Sequence, residues 1–241
     1  MLKKILGVVL LIMVLVSSIN AGQNFNGGII YANKFYQSAK SIKNNLIQTK
    51  TGLNNSCGPT SLSFVANYFY YKKHNKPHSI FSSLRKSKYF VKKIYDNIPT
   101  AGYNEITSLN ELKGVVKNYF GWKFPGTRRR KSGDQFNTNR KYLIEALRSD
   151  KIALIVLDGD YTKSPVYEKG EYFRHIVIVY AYRHRRDENN KSPLSNSNTH
   201  NNDQIYYFDP YFGKVHSITV KEIKNGALDL VNLAYLQLAI K

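Results

Sequence analysis

Residues 57–71 read Cys-Gly-Pro-Thr-Ser-Leu-Ser-Phe-Val-Ala-Asn-Tyr-Phe-Tyr-Tyr, a stretch with the pattern of an α-helix that faces a core. The apolar residues that recur at three-to-four spacing are Leu62, Val65, Ala66 and Phe69. This spacing places them on one face of a helix. Pro59 suits the first helical turn, where its missing N–H costs nothing, and residues 75–77 end the element. The stretch therefore predicts a helix that begins at Cys57.

Three other segments before residue 150 have helical features. Residues 78–98 are mixed basic and aromatic and predict one or two short helices. Residues 107–117 include Ser108 followed three positions later by Glu111, a capping box that precedes an amphipathic pattern. Residues 139–149 again place apolar side chains on one helical face. The first part of the chain is therefore predicted to be mainly helical.

From residue 151 onward the pattern changes from helical to extended. Residues 151–157 are a continuous apolar run of strand length, and residues 175–182 are β-branched and aromatic. The other predicted elements are strands at 205–208, 214–220 and 233–240, a turn at 209–213, and the start of a helix at 221–225. Helices before strands favour an α+β fold, in which an N-terminal helical layer packs on a C-terminal antiparallel sheet.

The charge of the chain is strongly positive. Lys and Arg total 36 against 16 Asp and Glu among 241 residues, a formal net charge of +20. Such a chain is attracted to polyanions. Residues 125–139 and 183–203 are predicted to be exposed loops, and they contain the basic runs Arg128–Lys131 and Arg183–Arg186. We expect these loops to hold an anionic envelope polymer, a lipid surface or an acidic substrate, and we expect no specific nucleic-acid partner.

Residues 1–21 have the layout of a secretory signal peptide. Two lysines precede an apolar stretch at 5–16, and a small, polar segment then leads to Ala21 at the expected cleavage position. The apolar stretch is shorter than the ~20 residues that a spanning helix needs. We therefore expect an exported protein, periplasmic or secreted. The alternative is an uncleaved N-terminal segment that anchors the protein to the membrane.

Cys57 is the only cysteine in the chain, which excludes an intramolecular disulfide and a cysteine-rich zinc site. In an exported protein a lone cysteine is an inert buried residue, an intermolecular link or a reactive thiol. The start of a helix presents unpaired N–H groups and the positive end of the dipole, and both stabilise a thiolate. Gly58 also lets a substrate backbone approach. The position of Cys57 therefore favours a reactive thiol.

Two further residues match the needs of a thiolate nucleophile, which requires a base and a group that orients the base. His175 opens the predicted strand 175–182, and Asp209 closes the next strand. Considered alone, His175 has the ordinary alternative of a core or loop histidine, and Asp209 that of a turn residue before Pro210. In an antiparallel hairpin, however, the start of one strand and the end of the next lie at the same edge. The Asp209 carboxylate is therefore expected to reach the His175 imidazole.

Other catalytic and ligand-binding motifs are absent from the sequence. It contains no Gly-x-Ser-x-Gly, no phosphate-binding Gly-x-x-x-x-Gly-Lys loop and no His-Glu-x-x-His. His74 and His78 have the spacing of helical metal ligands, but Pro77 breaks the helix between them. We therefore expect neither a metal nor a cofactor, and no fused ATP-binding domain.

Three motifs together resemble the papain-like cysteine peptidases: Asn-Ser-Cys57-Gly-Pro-Thr-Ser-Leu62, His175-Ile-Val-Ile-Val-Tyr-Ala-Tyr182 and Tyr207-Phe-Asp-Pro-Tyr-Phe-Gly213. Over roughly residues 46–225 the chain is most similar to the bacteriocin-processing, double-glycine leader peptidases and their free-standing relatives. The resemblance implies a papain-like domain at 46–241 after an arm at 22–45. It also implies hydrolysis of peptide bonds through a thioester. The fold carries amidases and acyl transferases as well, so the fold alone does not choose the reaction.

The resemblance assigns roles to four residues. It implies Cys57 as nucleophile, His175 as general base and acid, Asp209 as the group that orients His175, and an upstream Gln or Asn as an oxyanion donor. The family usually has this Gln at the position that is Thr51 here. Because this position is not Gln here, the preferred donor is Gln48, which lies nine residues before the cysteine and requires a short insertion. The alternative donors are Asn54 and Asn55. The alternative function is a catalytically silent binding module that uses the basic loops.

Overall fold

The computed structural model of this chain describes residues 23–25, 28–32, 34–53, 56–98, 112, 114–117, 127–129, 143–149, 151–158, 174–185, 202–220 and 229–236. The predicted signal peptide at 1–21, the capping box and the predicted helix start at 221–225 lie outside these residues. So do Asn54, Asn55 and most of the two predicted basic loops. No helix among the described residues is long and apolar enough to cross a membrane.

Eight strands form one sheet in the part of the chain that the structure describes. They are β1 (Gln23–Phe25), β2 (Gly28–Ala32), β3 (Thr127–Arg129), β4 (Ile152–Asp158), β5 (Arg174–Arg185), β6 (Gln204–Asp209), β7 (Lys214–Thr219) and β8 (Asp229–Leu236). Every pairing between them is antiparallel. The order β1-β2-β5-β4-β8-β3 is joined by β6, which pairs with β5 and β7.

Strand β5 is the centre of the sheet because it pairs with three other strands. On one edge, β4 pairs with its residues 174–179 and β2 with residues 181–185. On the other edge, β6 pairs with residues 178–183. The first residues of β5 therefore extend beyond β6, and this end of the strand meets a helix.

The helices confirm the α+β class. They are α1 (Phe35–Leu46), α2 (Gln48–Thr51), α3 (Cys57–His74), the 3-10 turn Ser79–Phe81 and α4 (Leu84–Asp96). Residues 114–117 and 143–148 are also helical. The predicted helix at 57–71 is confirmed and runs to His74, where Asn75 ends it in the left-handed conformation. The strands predicted at 151–157, 175–182, 205–208 and 214–220 are confirmed as β4, β5, β6 and β7.

Helix α3 lies in the middle of the first core. The predicted apolar stripe is buried or partly buried, but burial extends to almost every residue from Cys57 to Phe69. Phe64 packs edge-on against Phe208 of β6 at 4.8 Å between ring centroids, and Phe35 of α1 packs on the same ring at 5.8 Å. The broad burial follows because α1, α4 and β5 all pack against α3.

The opposite face of the sheet carries a second core. Ile176 and Ile178 of β5 belong to the first core, while Val177 and Val179 belong to the second. This alternation is the ordinary consequence of side chains pointing to opposite faces of a strand. Leu143, in the helical segment 143–148, packs in the second core. Helices therefore lie on both faces, where the sequence analysis predicted one helical layer.

The N-terminal region corrects a second expectation, that the sheet is built from the C-terminal part alone. Residues 22–45 were expected to be an arm, but β1 and β2 belong to the sheet and α1 lies in the core. Strand β2 pairs with the far end of β5, a partner about 150 residues away in sequence. A local pattern does not reveal such a partner.

Both basic runs also differ from the prediction that they lie on loops. Arg128 and Arg129 belong to β3, which pairs with β8 at the edge of the sheet. Arg183, His184 and Arg185 belong to β5, because β2 supplies a partner for their backbone. The strand predicted at 233–240 is observed as β8, which begins at Asp229.

Candidate active site

Cys57 is the first residue of α3, and its thiol is free and almost fully buried, at 7 % exposure. The preceding residue, Ser56, does not cap the helix with its side chain, since its hydroxyl donates to the Leu53 carbonyl at 2.7 Å. The backbone N–H of Gly58 instead donates to the sulfur. One backbone donor of the first turn of α3 therefore reaches the thiol, as the position of Cys57 predicted.

His175 and Asp209 lie together as the strand order predicts. Each is only 1 % exposed, and the distance from His175 Nε2 to Asp209 Oδ1 is 2.9 Å. The same Oδ1 accepts a hydrogen bond from the Tyr211 N–H at 2.7 Å. The turn after β6 thus fixes the carboxylate, and the carboxylate holds the Nε2 edge of the imidazole.

The Cys57 side chain also hydrogen-bonds the imidazole of His175. Because Nε2 faces Asp209, we infer that Nδ1 faces the sulfur. The three side chains therefore form a continuous chain of contacts, from thiol to imidazole to carboxylate. Its members come from the start of α3, the start of β5 and the end of β6.

The pKa values of the three groups shift in the directions that favour an ion pair. Burial raises the pKa of the Cys57 thiol, but the hydrogen bond and charge of His175 outweigh it, and the net pKa is below 9.0. Burial lowers the pKa of His175, yet Asp209 and Cys57 together raise it to about 10. Burial likewise raises the pKa of Asp209, and His175 and the Tyr211 N–H bring it below its ordinary value. The arrangement favours thiolate, imidazolium and carboxylate.

Ile176, the residue after His175, connects β5 to α3 through its backbone. Its N–H donates to the Cys57 sulfur, and its carbonyl accepts a hydrogen bond from Ser61 Oγ at 3.1 Å. Ser61 is fully buried and lies one helical turn after Cys57. The sequence analysis did not single out Ser61. The available signal was its position four residues after the cysteine, on the same face of the helix.

Gln48 is buried, but among the described residues its side chain hydrogen-bonds Leu53 and not Cys57, His175 or Asp209. Its Nε2 donates to the Leu53 carbonyl at 3.1 Å, while Oε1 is buried without a hydrogen-bond partner. Its backbone N–H donates to the Pro210 carbonyl at 3.0 Å. Gln48 thus links the loop before Cys57 to the turn after Asp209.

A second His–Asp pair lies at the other end of β5. Asp203 Oδ2 accepts a hydrogen bond from the Tyr182 hydroxyl at 2.5 Å, and both of its oxygens lie 3.1 Å from His184 Nδ1. Asp203 Oδ1 also accepts from the Arg185 N–H. All three side chains are buried. Asp203 is therefore engaged with His184, which leaves Asp209 as the carboxylate beside His175.

The histidine pair considered as a metal site has a structural role instead. His78 precedes the 3-10 turn and its Nδ1 accepts a hydrogen bond from the Ile80 N–H. Tyr70 packs against both His74 and His78, with ring centroids 4.2 and 4.3 Å away. Across the residues that the structure describes, no group of three or more His, Cys, Asp or Glu side chains is placed to hold a metal ion.

Comparison with known proteins does not assign the chain: no protein-family model matches it, and no curated protein matches it. The interpretation of the site therefore rests on the contacts of Cys57, His175 and Asp209.

Proposed function

We propose that the protein is an exported cysteine peptidase with a papain-like fold, which hydrolyses peptide bonds through Cys57, His175 and Asp209. The observation that carries this proposal is the buried chain of contacts from the thiol through the imidazole to the carboxylate. A structural cysteine needs no such neighbours. A nucleophilic thiolate needs a proton carrier beside it and a group that orients the carrier.

In the first half of the reaction the Cys57 thiolate attacks the carbonyl carbon of the scissile peptide bond. The His175 imidazolium donates its proton to the nitrogen of the leaving amine, and the C–N bond breaks. The products of this step are a free amine and a thioester between the acyl group and Cys57. Asp209 holds the imidazole in position throughout.

In the second half His175, now neutral, accepts a proton from a water molecule as the water attacks the thioester carbonyl. The C–S bond breaks, the carboxylic acid leaves, and Cys57 returns to the thiolate beside an imidazolium. Gln48 is the proposed oxyanion donor. Its amide nitrogen carries two hydrogens, and the Leu53 carbonyl accepts one of them.

The sole cysteine makes the test of this proposal specific, because any thiol reagent that labels the chain labels Cys57. The mature protein is treated with iodoacetamide in its native state, and the alkylation rate is followed by mass spectrometry from pH 5 to pH 10. We expect rapid alkylation at neutral pH and slow alkylation of the His175→Gln variant. Peptide cleavage by the wild type and by Cys57→Ala is then compared on a mixed peptide library.

Two outcomes would contradict the proposal. One is a native Cys57 that reacts only after unfolding, and the other is equal cleavage by Cys57→Ala. Either result would favour the second candidate, a catalytically silent binding module.

The second candidate is supported by the exposed cations of α4. The basic side chains on this helix are Arg85, Lys86, Lys88, Lys92 and Lys93, all exposed. The only acidic residue of the helix is Asp96, which pairs with Lys92. Since both predicted basic loops are partly strands, α4 is the more suitable surface for an anionic envelope polymer or lipid.

We propose that residues 1–21 are a signal peptide that is removed when the protein is exported. The expected outcome is a mature chain that starts at Gly22, which N-terminal sequencing of protein from the producing cells checks. A chain that keeps Met1 and is extracted only with detergent would show the membrane-anchored alternative. We propose a peptidase domain at 46–241, to which the segment 22–45 contributes two strands of the sheet and a helix of the core.

A further inference from the structure

We infer that Ser61 is a positioning residue, which holds the start of β5 against the start of α3 so that Cys57 and His175 stay in contact. The inference rests on the proposed function, since it concerns the reactivity of the same thiol. It assigns no contact with substrate to Ser61.

The first observation is the hydrogen bond that crosses from helix to sheet. Ser61 Oγ donates to the Ile176 carbonyl at 3.1 Å, and the two residues are 115 positions apart in sequence. Ser61 is 0 % exposed. A helical serine that is buried in this way often bonds the carbonyl four residues earlier in its own helix. Here the hydroxyl is used to join two elements.

The second observation is that Ile176 is held at both of its polar backbone atoms. Its N–H donates to the Cys57 sulfur and its carbonyl accepts from Ser61. The N–H and C=O of one strand residue point to the same edge of the strand. Pairing of β6 with β5 reaches only Ile178. Helix α3 therefore takes the place of β6 at this point of the edge.

These contacts make the position of the His175 backbone depend on Ser61. Without the hydroxyl, the Ile176 carbonyl loses its partner on α3, and the peptide is free to turn toward another donor. The start of β5 is then less firmly held to α3, and a shift of the strand moves the Ile176 N–H away from the sulfur and loosens the His175 backbone next to it. The expected consequence is a less stable thiolate, with the fold otherwise kept.

The chain offers a matched control in Ser63. It lies on the same helix and is also 0 % exposed, and its Oγ donates to the Pro59 carbonyl at 2.9 Å, within α3 itself. Ser61→Ala and Ser63→Ala each remove one buried hydroxyl that donates to a backbone carbonyl. The two variants should therefore lose similar thermal stability. Only the first removes a bond between α3 and β5.

The experiment measures the rate of Cys57 alkylation by iodoacetamide against pH in the native wild type and in both variants. For Ser61→Ala we expect a rate at pH 7 that is about tenfold lower, the effect of one hydrogen bond, and a profile displaced to higher pH. Ser63→Ala should keep the wild-type profile. Ser61→Thr, which retains the hydroxyl, should also keep it.

The results separate this inference from the proposed function. If the wild-type thiol is unreactive, the proposed function fails. If the wild-type thiol is reactive and the profiles of Ser61→Ala and Ser63→Ala coincide, the positioning role of Ser61 is wrong. Should Ser61→Ala fail to fold in dilute buffer, all profiles are measured in sucrose, which stabilises folded states: a profile of Ser61→Ala displaced to higher pH supports the role, and one that coincides with Ser63→Ala overturns it.

Discussion

Replacing Asp209 by Asn removes the charge beside His175 but keeps an oxygen atom in position to accept the same hydrogen bonds. Asp209 Oδ1 accepts hydrogen bonds from His175 Nε2 at 2.9 Å and from the Tyr211 N–H at 2.7 Å. An asparagine carbonyl oxygen in the same place accepts both. The variant should therefore fold, and its defect should report the charge alone.

The size of the effect follows from the two kinds of hydrogen bond. A hydrogen bond to a charged group contributes about 1.5–3 kcal/mol, and one between neutral groups about 0.5–1.5 kcal/mol. The midpoints of these ranges differ by about 1.2 kcal/mol, which corresponds to a loss in rate of roughly eight- to tenfold. For Asp209→Ala the loss should be larger, because two buried donors then lose their acceptor, at about 1–3 kcal/mol each.

The loss should appear in kcat with little change in KM, since Asp209 acts through His175 and does not touch the substrate. Burial lowers the pKa of His175, and Asp209 and Cys57 together raise it to about 10, so the Asn variant should have a lower His175 pKa. With a lower pKa, less of the His175 imidazole is protonated at a given pH, so the thiolate is stabilised less. The pH profile of Cys57 alkylation should therefore move to higher pH in the Asn variant.

The assay combines steady-state cleavage of a fluorogenic peptide with native alkylation from pH 5 to pH 10. Asp203→Asn, at the second buried His–Asp pair, is the matched control, because it removes a buried carboxylate that is bonded to His184 and not to His175. If Asp209→Ala keeps full activity and the wild-type alkylation profile, Asp209 does not orient His175. If Asp203→Asn alone shifts the profile, the orienting carboxylate has been misassigned.

Three other predictions follow from the same contacts. Cys57→Ser should abolish turnover without unfolding, because a hydroxyl is a far poorer nucleophile at nearly the same volume, and residual activity within about tenfold of wild type would exclude Cys57 as nucleophile. Gly213→Ala should lower the free energy of unfolding by about 2–5 kcal/mol, since Gly213 has φ +67° and an added Cβ would lie 2.5 Å from Ile47 Cγ2. Gly52→Ala, with φ +64° and only Lys88 Nζ near the added Cβ, at 3.9 Å, should cost only about 1–2 kcal/mol, and equal losses in urea titrations would refute the steric argument. In Cys57→Ala, Asp209 still acts to raise the pKa of His175, so the stability that the protonated imidazole contributes is complete below pH 6.5 and is lost as pH rises above that value. Compared with Cys57→Ala/His175→Gln, the single variant should therefore lose unfolding free energy as pH rises above 6.5, by at most about 1.4 kcal/mol per pH unit.

The parts of the fold that were predictable are those set by local pattern. Helix α3 and strand β5 have apolar periods that neighbouring residues alone determine, and their first residues, Cys57 and His175, carry distinctive chemistry. The contact of His175 with Asp209 followed from hairpin geometry, because β5 and β6 are consecutive strands. For each of these features, the local sequence pattern and the order of the strands led to the same expectation.

The parts that were not predicted depend on distant partners. Strand β2 is short and becomes a strand only because β5 extends to meet it. Helix α1 has a buried face that includes Ser38 as well as Phe35 and Leu46, so its period is weakened by a polar residue. The acceptor of Ser61 lies on another element altogether. Such features need the tertiary structure before their cause is visible.

The anchoring of Gln48 has a consequence for how the proposed active site tolerates changes in chain length. Gln48 is held by the Pro210 carbonyl, and the next residue, Thr49, donates its N–H to the Tyr211 carbonyl at 3.2 Å. Its place is thus set from across the molecule and not by the number of residues that separate it from Cys57. The connecting segment can then lengthen or shorten while the proposed oxyanion donor stays beside the turn of Asp209. Insertions before Cys57 should accordingly be tolerated, and a fixed spacing between Gln48 and Cys57 is a poor guide to other proteins with this arrangement.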